Sequence, residues 1–135
     1  MEPLRVQRLR PDGLVSSPAF SHVAIVPPGA TTIYVGGQNA VDAGGSLVGE
    51  GDVALQAVRT LENAKVALAA ADATFGDVVQ WTVLFVDGVD LAAAYGAIAP
   101  MLASDEPPLV LGARVAGLGV PGALIEVSAI AAVVR

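Results

Sequence analysis

The chain has 135 residues, no cysteine, one histidine and a formal net charge of −6. This length predicts a single domain over residues 1–135, large enough to bury its own core. The absence of cysteine excludes disulfides and thiolate sites. A histidine-rich metal site is excluded as well, because His22 is the single histidine. The chain has only seven Lys and Arg residues but thirteen Asp and Glu residues, so we expect no nucleic-acid partner.

The hydropathy of the chain predicts where the protein is located and whether it assembles. Hydrophobic residues make up 54% of the sequence and charged residues only 15%, a balance that suits the subunit of an oligomer. No apolar run approaches the roughly 18 residues of a membrane span. Charges and prolines interrupt the N-terminus before the apolar region of a signal peptide could form. We therefore expect a cytoplasmic protein with no membrane contact.

The first half of the chain predicts two strands and a helix. Residues 31–38, TTIYVGGQ, are rich in β-branched residues and predict a strand, preceded by a partner strand over residues 22–26. Residues 42–46 form a loop, and residues 51–73 have apolar side chains at helical spacing with Asp52 as the N-cap. The helix should bury one apolar face and expose its charges. Its apolar positions are Leu55, Val58, Leu61 and Leu68, and its charged positions are Arg59, Glu62 and Lys65.

The second half predicts a strand, a helix and two further strands. The first strand covers residues 77–87, and a helix begins near Asp90 and should end or kink at Pro100. Two prolines then require an extended backbone just before the strand that carries Arg114. Residues 123–134 are predicted to form the last strand. This order predicts a two-layer α+β domain in which two helices pack on one face of a mixed sheet.

Four segments, taken in order and at their separations, resemble the YjgF/RidA family from about Phe20 onward. They are YVGGQ, the run from GDVALQ to VLFVD, PPLVLGARVAGL and IEVSAIA. The resemblance implies a chorismate-mutase-like fold and a homotrimer with a ligand cleft at each subunit interface. It also implies hydrolysis of imines and enamines to keto acids and ammonia, a reaction that needs no metal or cofactor because the imine carbon is already electrophilic.

Three positions match the functional residues of the family. Gly37 and Gln38 match its Gly-Gln pair, which implies contacts to the ligand. Glu126 matches the first acidic residue of the final strand, which implies a catalytic role in ordering the attacking water. A strand glutamate can equally bond to neighbouring backbone at a subunit contact, so both interpretations of Glu126 stay open.

Three other positions depart from the pattern of the active members. Phe20 stands where a tyrosine is usual, and Gly36 stands where a serine or threonine is common. The Pro-Ala-Arg motif aligns with residues 108–110, so Val110 replaces the arginine that holds the substrate carboxylate. Losing that charged hydrogen-bond pair removes on the order of 1.5–3 kcal/mol of binding. We therefore expect poor activity on ordinary amino-acid-derived imines.

Arg114 is the remaining cation near this segment. Strand alternation places Val110, Gly112 and Arg114 on one face, with Arg114 roughly 13 Å beyond Val110. Gly112 leaves room for the Arg114 side chain to fold back toward the cleft. Arg114 either lines this remodelled cleft or pairs with a carboxylate or with water.

Three functions follow from these residues. The first is a small-molecule-binding homotrimer whose ligand has no carboxylate, and the second is an imine or enamine deaminase, a hydrolase, that acts on atypical substrates. The third is an endoribonuclease, which the negative charge disfavours. The predicted ligand contacts are Phe20, Gly36, Gly37, Gln38, Val110, Gly112 and Arg114.

Overall fold

The computed structural model describes residues 3–135, so the first two residues of the predicted domain lie outside the described part. Nine elements follow one another within residues 3–135. They are β1 (Gln7–Leu9), β2 (Val23–Ile25), β3 (Thr31–Gln38), α1 (Val53–Ala70), a 3-10 turn (Phe75–Asp77), β4 (Val78–Val86), α2 (Leu91–Leu102), β5 (Leu109–Val115) and β6 (Ile125–Val133).

Four of the strands form a mixed sheet in the order β3-β6-β4-β5. β6 runs antiparallel to both β3 and β4, whereas β5 runs parallel to β4. The parallel pair needs a long crossover, and α2 supplies it. The two helices pack against each other, and α1 packs on β3 and β6. This arrangement confirms the predicted two-layer α+β fold.

The core lies between the sheet and the helices. Alternate side chains of β4 and β6 point toward the helices and are buried, which is the period-two pattern of a sheet with one covered face. On α1 the small side chains let the helix approach the sheet closely. The core includes Ala57, Leu61, Ala64, Leu68, Trp81, Val83, Phe85, Ile98, Val127 and Ala129.

The start of α1 confirms one prediction and corrects another. The Asp52 carboxylate accepts a hydrogen bond from the Leu55 backbone amide at 3.0 Å, as expected of an N-cap. Leu55 itself is 49% exposed, so its predicted place on the buried face is wrong. Gln56 is fully buried instead, because its amide group bonds to Gly49, Gly122 and Leu124 and ties the helix to two loops.

The predicted partnership between β2 and β3 is wrong. β2 pairs with β1, a strand that the sequence analysis did not predict, and β3 pairs with β6. The reason is the anchoring of the chain just before β2. The His22 amide bonds to the Leu9 carbonyl at 2.9 Å, and the Ser21 amide bonds to the Pro108 carbonyl at 3.0 Å. These bonds hold the segment over the start of β5, at the edge of the sheet opposite β3.

Pro100 was predicted to end or kink α2, and it does not end the helix, which continues to Leu102. A proline so near the C-terminus removes only one backbone hydrogen bond, and the packing of Ile98 in the core holds the last turn. The helix begins as expected, since the Asp90 carboxylate accepts from the Ala93 amide at 3.1 Å.

Neither helix in residues 3–135 has the length and apolar character needed to cross a membrane.

Candidate functional site

An apolar cavity of about 650 Å³ lies between α2 and the β4–β5 side of the sheet. Its walls include Phe20, Trp81, Tyr95, Val110 and Gly112. No acidic, basic or histidine side chain belongs to the cavity wall formed by the described residues. Its volume is in the range of small-molecule sites, which are typically about 300–1,000 Å³.

Helix α2 contributes one stripe of the cavity wall. Tyr95, Ile98, Ala99 and Leu102 all line the cavity and follow the i, i+3, i+4, i+7 spacing that places side chains on one helical face. The Tyr95 ring also packs edge-on against Phe85, with ring centroids 5.3 Å apart. The stripe is therefore apolar except for one phenol.

Phe20 reaches the cavity because the chain around it is fastened to the start of β5. The buried Ser21 hydroxyl donates to the Pro107 carbonyl at 2.7 Å, next to the backbone bond to Pro108. The Phe20 ring packs edge-on against His22 at 5.4 Å, and the His22 ring bonds to the Val15 carbonyl at 2.7 Å. Ser21 thus positions the aromatic rim of the cavity, a role that the sequence analysis missed.

Val110 and Gly112 form the wall on β5. In the parallel register Val110 lies beside Trp81 and Gly112 beside Val83, so both face the helices. A Cβ atom built on Gly112 would lie 3.4 Å from the Tyr95 hydroxyl oxygen. The missing side chain at Gly112 therefore leaves the space that the phenol of Tyr95 overhangs.

Tyr95 supplies a polar group to the cavity wall. Burial raises the pKa of the Tyr95 phenol above its ordinary value, because the phenolate would lose hydration. The phenol is therefore protonated at neutral pH and can donate a hydrogen bond. Among residues 3–135, neither the Tyr95 hydroxyl nor the Trp81 indole N–H has a hydrogen-bond partner.

Glu126 and the Gly36–Gln38 segment form a second group of predicted site residues. A Cβ atom on Gly37 would lie 3.0 Å from the Glu126 carboxyl carbon and 3.1 Å from its Oε2. The absence of a side chain at Gly37 therefore leaves the space in which the half-buried Glu126 carboxylate lies against this strand. The Gln38 amide donates to the Gly36 carbonyl at 3.3 Å, which shapes the end of β3.

The two groups lie at opposite edges of the sheet. Gln38 pairs with Val127, Val127 with Val83, and Val83 with Gly112, so one row of residues crosses all four strands. Three strand spacings separate the ends of this row by roughly 14 Å. One chain thus brings Phe20, Val110 and Gly112 together, and brings Gly37 and Glu126 together elsewhere.

Arg114 belongs to neither group. It lies beside Phe85 in the register, on the same face as Val110, but it is exposed and does not line the cavity. Among residues 3–135 it makes no hydrogen bond or ion pair. Its role in ligand binding stays a prediction, as do the roles of the other candidate residues.

Sequence reasoning did not identify the wall that α2 provides. The sequence analysis assigned no site role to Tyr95 or Trp81. The signal was present in the spacing of Tyr95, Ile98, Ala99 and Leu102, where a hydroxyl interrupts an otherwise apolar stripe.

Comparison with known proteins identifies the family. The family model described as endoribonuclease L-PSP matches residues 13–133. No curated protein matches the chain at a significant level.

Several solved structures share the fold. The Rid-family protein YyfB of Yersinia pestis, whose function is unknown, is 30% identical with a TM-score of 0.83, and the alignment covers 95% of this chain and 98% of YyfB. The YjgF gene product of E. coli is 31% identical with a TM-score of 0.66, over 78% of this chain and 83% of that one. RidA from an Antarctic Psychrobacter is 26% identical with a TM-score of 0.68, and the alignment covers 91% of this chain and 100% of that RidA. The chain therefore belongs to the YjgF/Rid family.

Proposed function

We propose that this protein is a homotrimer that binds a small organic molecule in the clefts between its subunits and does not hydrolyse common imino acids. One observation carries the proposal. Val110, at the position of the family's carboxylate-binding arginine, lies in the wall of a cavity to which residues 3–135 contribute no charged side chain. A keto-acid or imino-acid carboxylate would lose its hydration there without gaining a cationic partner.

The separation of the two residue groups supports the trimer. Phe20, Val110 and Gly112 lie at the β5 edge, and Gly37 and Glu126 lie toward the β3 edge. A chain whose half-sites lie at opposite edges can unite them only with a second copy. Contacts of this head-to-tail kind close into rings when the rotation permits, and a three-membered ring would contain three equivalent clefts.

Glu126 favours a second candidate, a deaminase for uncharged or bulky imines. Its carboxylate is half-buried beside Gly37 and makes no hydrogen bond to residues 3–135, so it is available to order a water molecule. The family model also bears the name of an endoribonuclease. The net charge of −6 disfavours binding to a phosphate backbone.

A coupled assay tests the proposal. An amino-acid oxidase generates imino acids from several amino acids, and semicarbazide traps them, so any acceleration of imine loss by this protein is visible. We expect a trimer in sedimentation equilibrium and no acceleration. Rapid turnover across several imino acids would establish the deaminase instead. A monomeric protein in sedimentation equilibrium would contradict a cleft shared between subunits.

A further inference from the structure

The charge-free wall of the cavity restricts what can bind there. Arg8 and Glu106 line a smaller neighbouring cavity that shares Trp81 with this one. Arg114, two residues beyond Gly112 on the same face of β5, is exposed and does not line the cavity. The Arg8 Nη2 donates to the Gly76 and Val78 carbonyls at 3.0 and 2.7 Å, and its buried Nε has no partner among the described residues. Neither Arg8 nor Glu106 lines the larger cavity. A charged ligand would therefore lose hydration without a partner from the described residues, which strongly disfavours it.

The shape of the wall favours a ring compound. Phe20, Trp81 and Tyr95 place three aromatic side chains around one space. Aromatic rings bury large areas and pair with other rings edge-on or offset, with an attraction beyond the area they bury. The remaining wall consists of aliphatic side chains, proline and glycine, which offer apolar contact alone.

The Tyr95 hydroxyl provides the one flexible polar contact in this wall. It overhangs Gly112, where no side chain competes for the space, and it has no partner among residues 3–135. Tyr95 is 39% exposed, so water can reach this hydroxyl in the free protein. A bound ligand would displace that water, and one that accepts the hydrogen bond is then favoured over one that leaves the donor unpaired. The hydroxyl can therefore select among ligands of equal size.

We propose that the cavity binds an uncharged, mainly apolar ring compound with one hydrogen-bond acceptor, which the Tyr95 hydroxyl recognises. This inference rests on the proposed function, because it names the chemical class of the molecule bound by the same site. Tyr95 acts as a specificity-determining residue. Trp81 contributes ring contacts and, as the only tryptophan of the chain, reports on occupancy through its fluorescence.

Three naphthalene derivatives of similar size test the proposal. 2-Acetylnaphthalene is neutral and carries an acceptor, 2-naphthoate is an anion, and 2-ethylnaphthalene has no acceptor. Dissociation constants are measured on the full chain by equilibrium dialysis, with quenching of Trp81 fluorescence as the second readout. We expect the ketone to bind at least about tenfold more tightly than the anion. We expect it to bind about five- to tenfold more tightly than the hydrocarbon.

Two variants assign the selectivity to Tyr95. Tyr95→Phe should weaken binding of the ketone about five- to tenfold and leave the hydrocarbon unchanged. Tyr34→Phe is the matched control, because Tyr34 is the only other tyrosine and is 77% exposed on β3. It should change neither constant.

Each other outcome overturns this inference. Equal binding of ketone and anion would mean that charge is tolerated, and equal binding of ketone and hydrocarbon would mean that no acceptor is recognised. An unchanged ketone affinity in Tyr95→Phe would remove Tyr95 from recognition, and failure of all three probes would exclude ring ligands. None of these results bears on the trimer or on imine turnover. Turnover of common imino acids in the coupled assay would instead reject the proposed function, whichever probe binds.

Discussion

The hydroxyl oxygen of Tyr95 lies directly over Gly112, 3.4 Å from the point where a Cβ atom would be. The two residues come from different layers, since Tyr95 is on α2 and Gly112 is on β5. The glycine leaves space beneath the phenol, and that space is continuous with the cavity. Ligand binding in the cavity should therefore depend on this pair and its neighbours.

Filling the space at Gly112 should close part of the cavity. Gly112→Leu places four carbons under the Tyr95 hydroxyl, and we expect the affinity for 2-acetylnaphthalene to fall at least about tenfold. Gly117→Leu is the control, because no atom lies within 4 Å of the Cβ position at Gly117. Dialysis measures the affinity, and circular dichroism checks that both variants are folded. Unchanged affinity in Gly112→Leu would place the bound ring elsewhere.

Introducing a cation at Val110 should reverse the charge preference of the cavity. In Val110→Arg the guanidinium can pair with a carboxylate in a bidentate manner, so 2-naphthoate should gain about tenfold or more in affinity. Val66→Arg adds the same charge on the outer face of α1, where Val66 is 72% exposed, and should not alter naphthoate binding. Equal gains in both variants would indicate attraction by net charge rather than a site at Val110.

Gln56 should be a major determinant of stability although it is polar. It is fully buried, and its amide bonds to Gly49 and Gly122 carbonyls and to the Leu124 amide, at 3.1, 3.2 and 2.8 Å. Gln56→Met keeps the volume but leaves these backbone groups unpaired, so unfolding should become easier by about 2–4 kcal/mol. Lys65→Met, on the exposed face, should change stability by less than about 0.5 kcal/mol.

These two variants are compared by urea unfolding at one protein concentration, because assembly makes stability depend on concentration. If Gln56→Met lowers the free energy of unfolding no more than Lys65→Met does, water must satisfy the backbone groups that Gln56 binds in the natural chain.

The ion pair between Arg5 and Glu106 should make a small, acid-sensitive contribution to stability. The Arg5 guanidinium donates to the Glu106 carboxylate at 2.7 Å, and this bond and the positive charge lower the pKa of Glu106 below its ordinary value of 4.5. The folded state therefore favours the ionised carboxylate. The stabilisation is present above the ordinary pKa and is lost as the pH falls through the lowered one.

Arg5→Gln should raise the pKa of Glu106 toward its ordinary value in an NMR titration of the carboxyl carbons. The difference in unfolding free energy between this variant and the natural chain should be small at neutral pH, since both side chains are exposed. It should shrink further in acid and in high salt. A Glu106 pKa that does not respond to the substitution would contradict the assignment of its cause to Arg5.

Local patterns predicted much of the fold. Alternation in β4 and β6, helical spacing in α1 and the carboxylates of Asp52 and Asp90 depend on neighbours within a few residues, so they can be recognised in one sequence. Family membership follows from the order of such segments. The replacement of an arginine by Val110 is likewise visible without coordinates.

Long-range contacts decided what the patterns could not. Gln56 is buried because a loop far along the chain, at Gly122 and Leu124, offers it partners. β2 pairs with β1 because Ser21 is held at the start of β5. The meeting of Tyr95 with Gly112 depends on how α2 crosses the sheet, and no local preference encodes it. The sequence alone therefore determined both helices, the four strands of the main sheet, the family and the missing cation. Only the tertiary structure determined which side chains share a cavity, because that depends on contacts between distant segments.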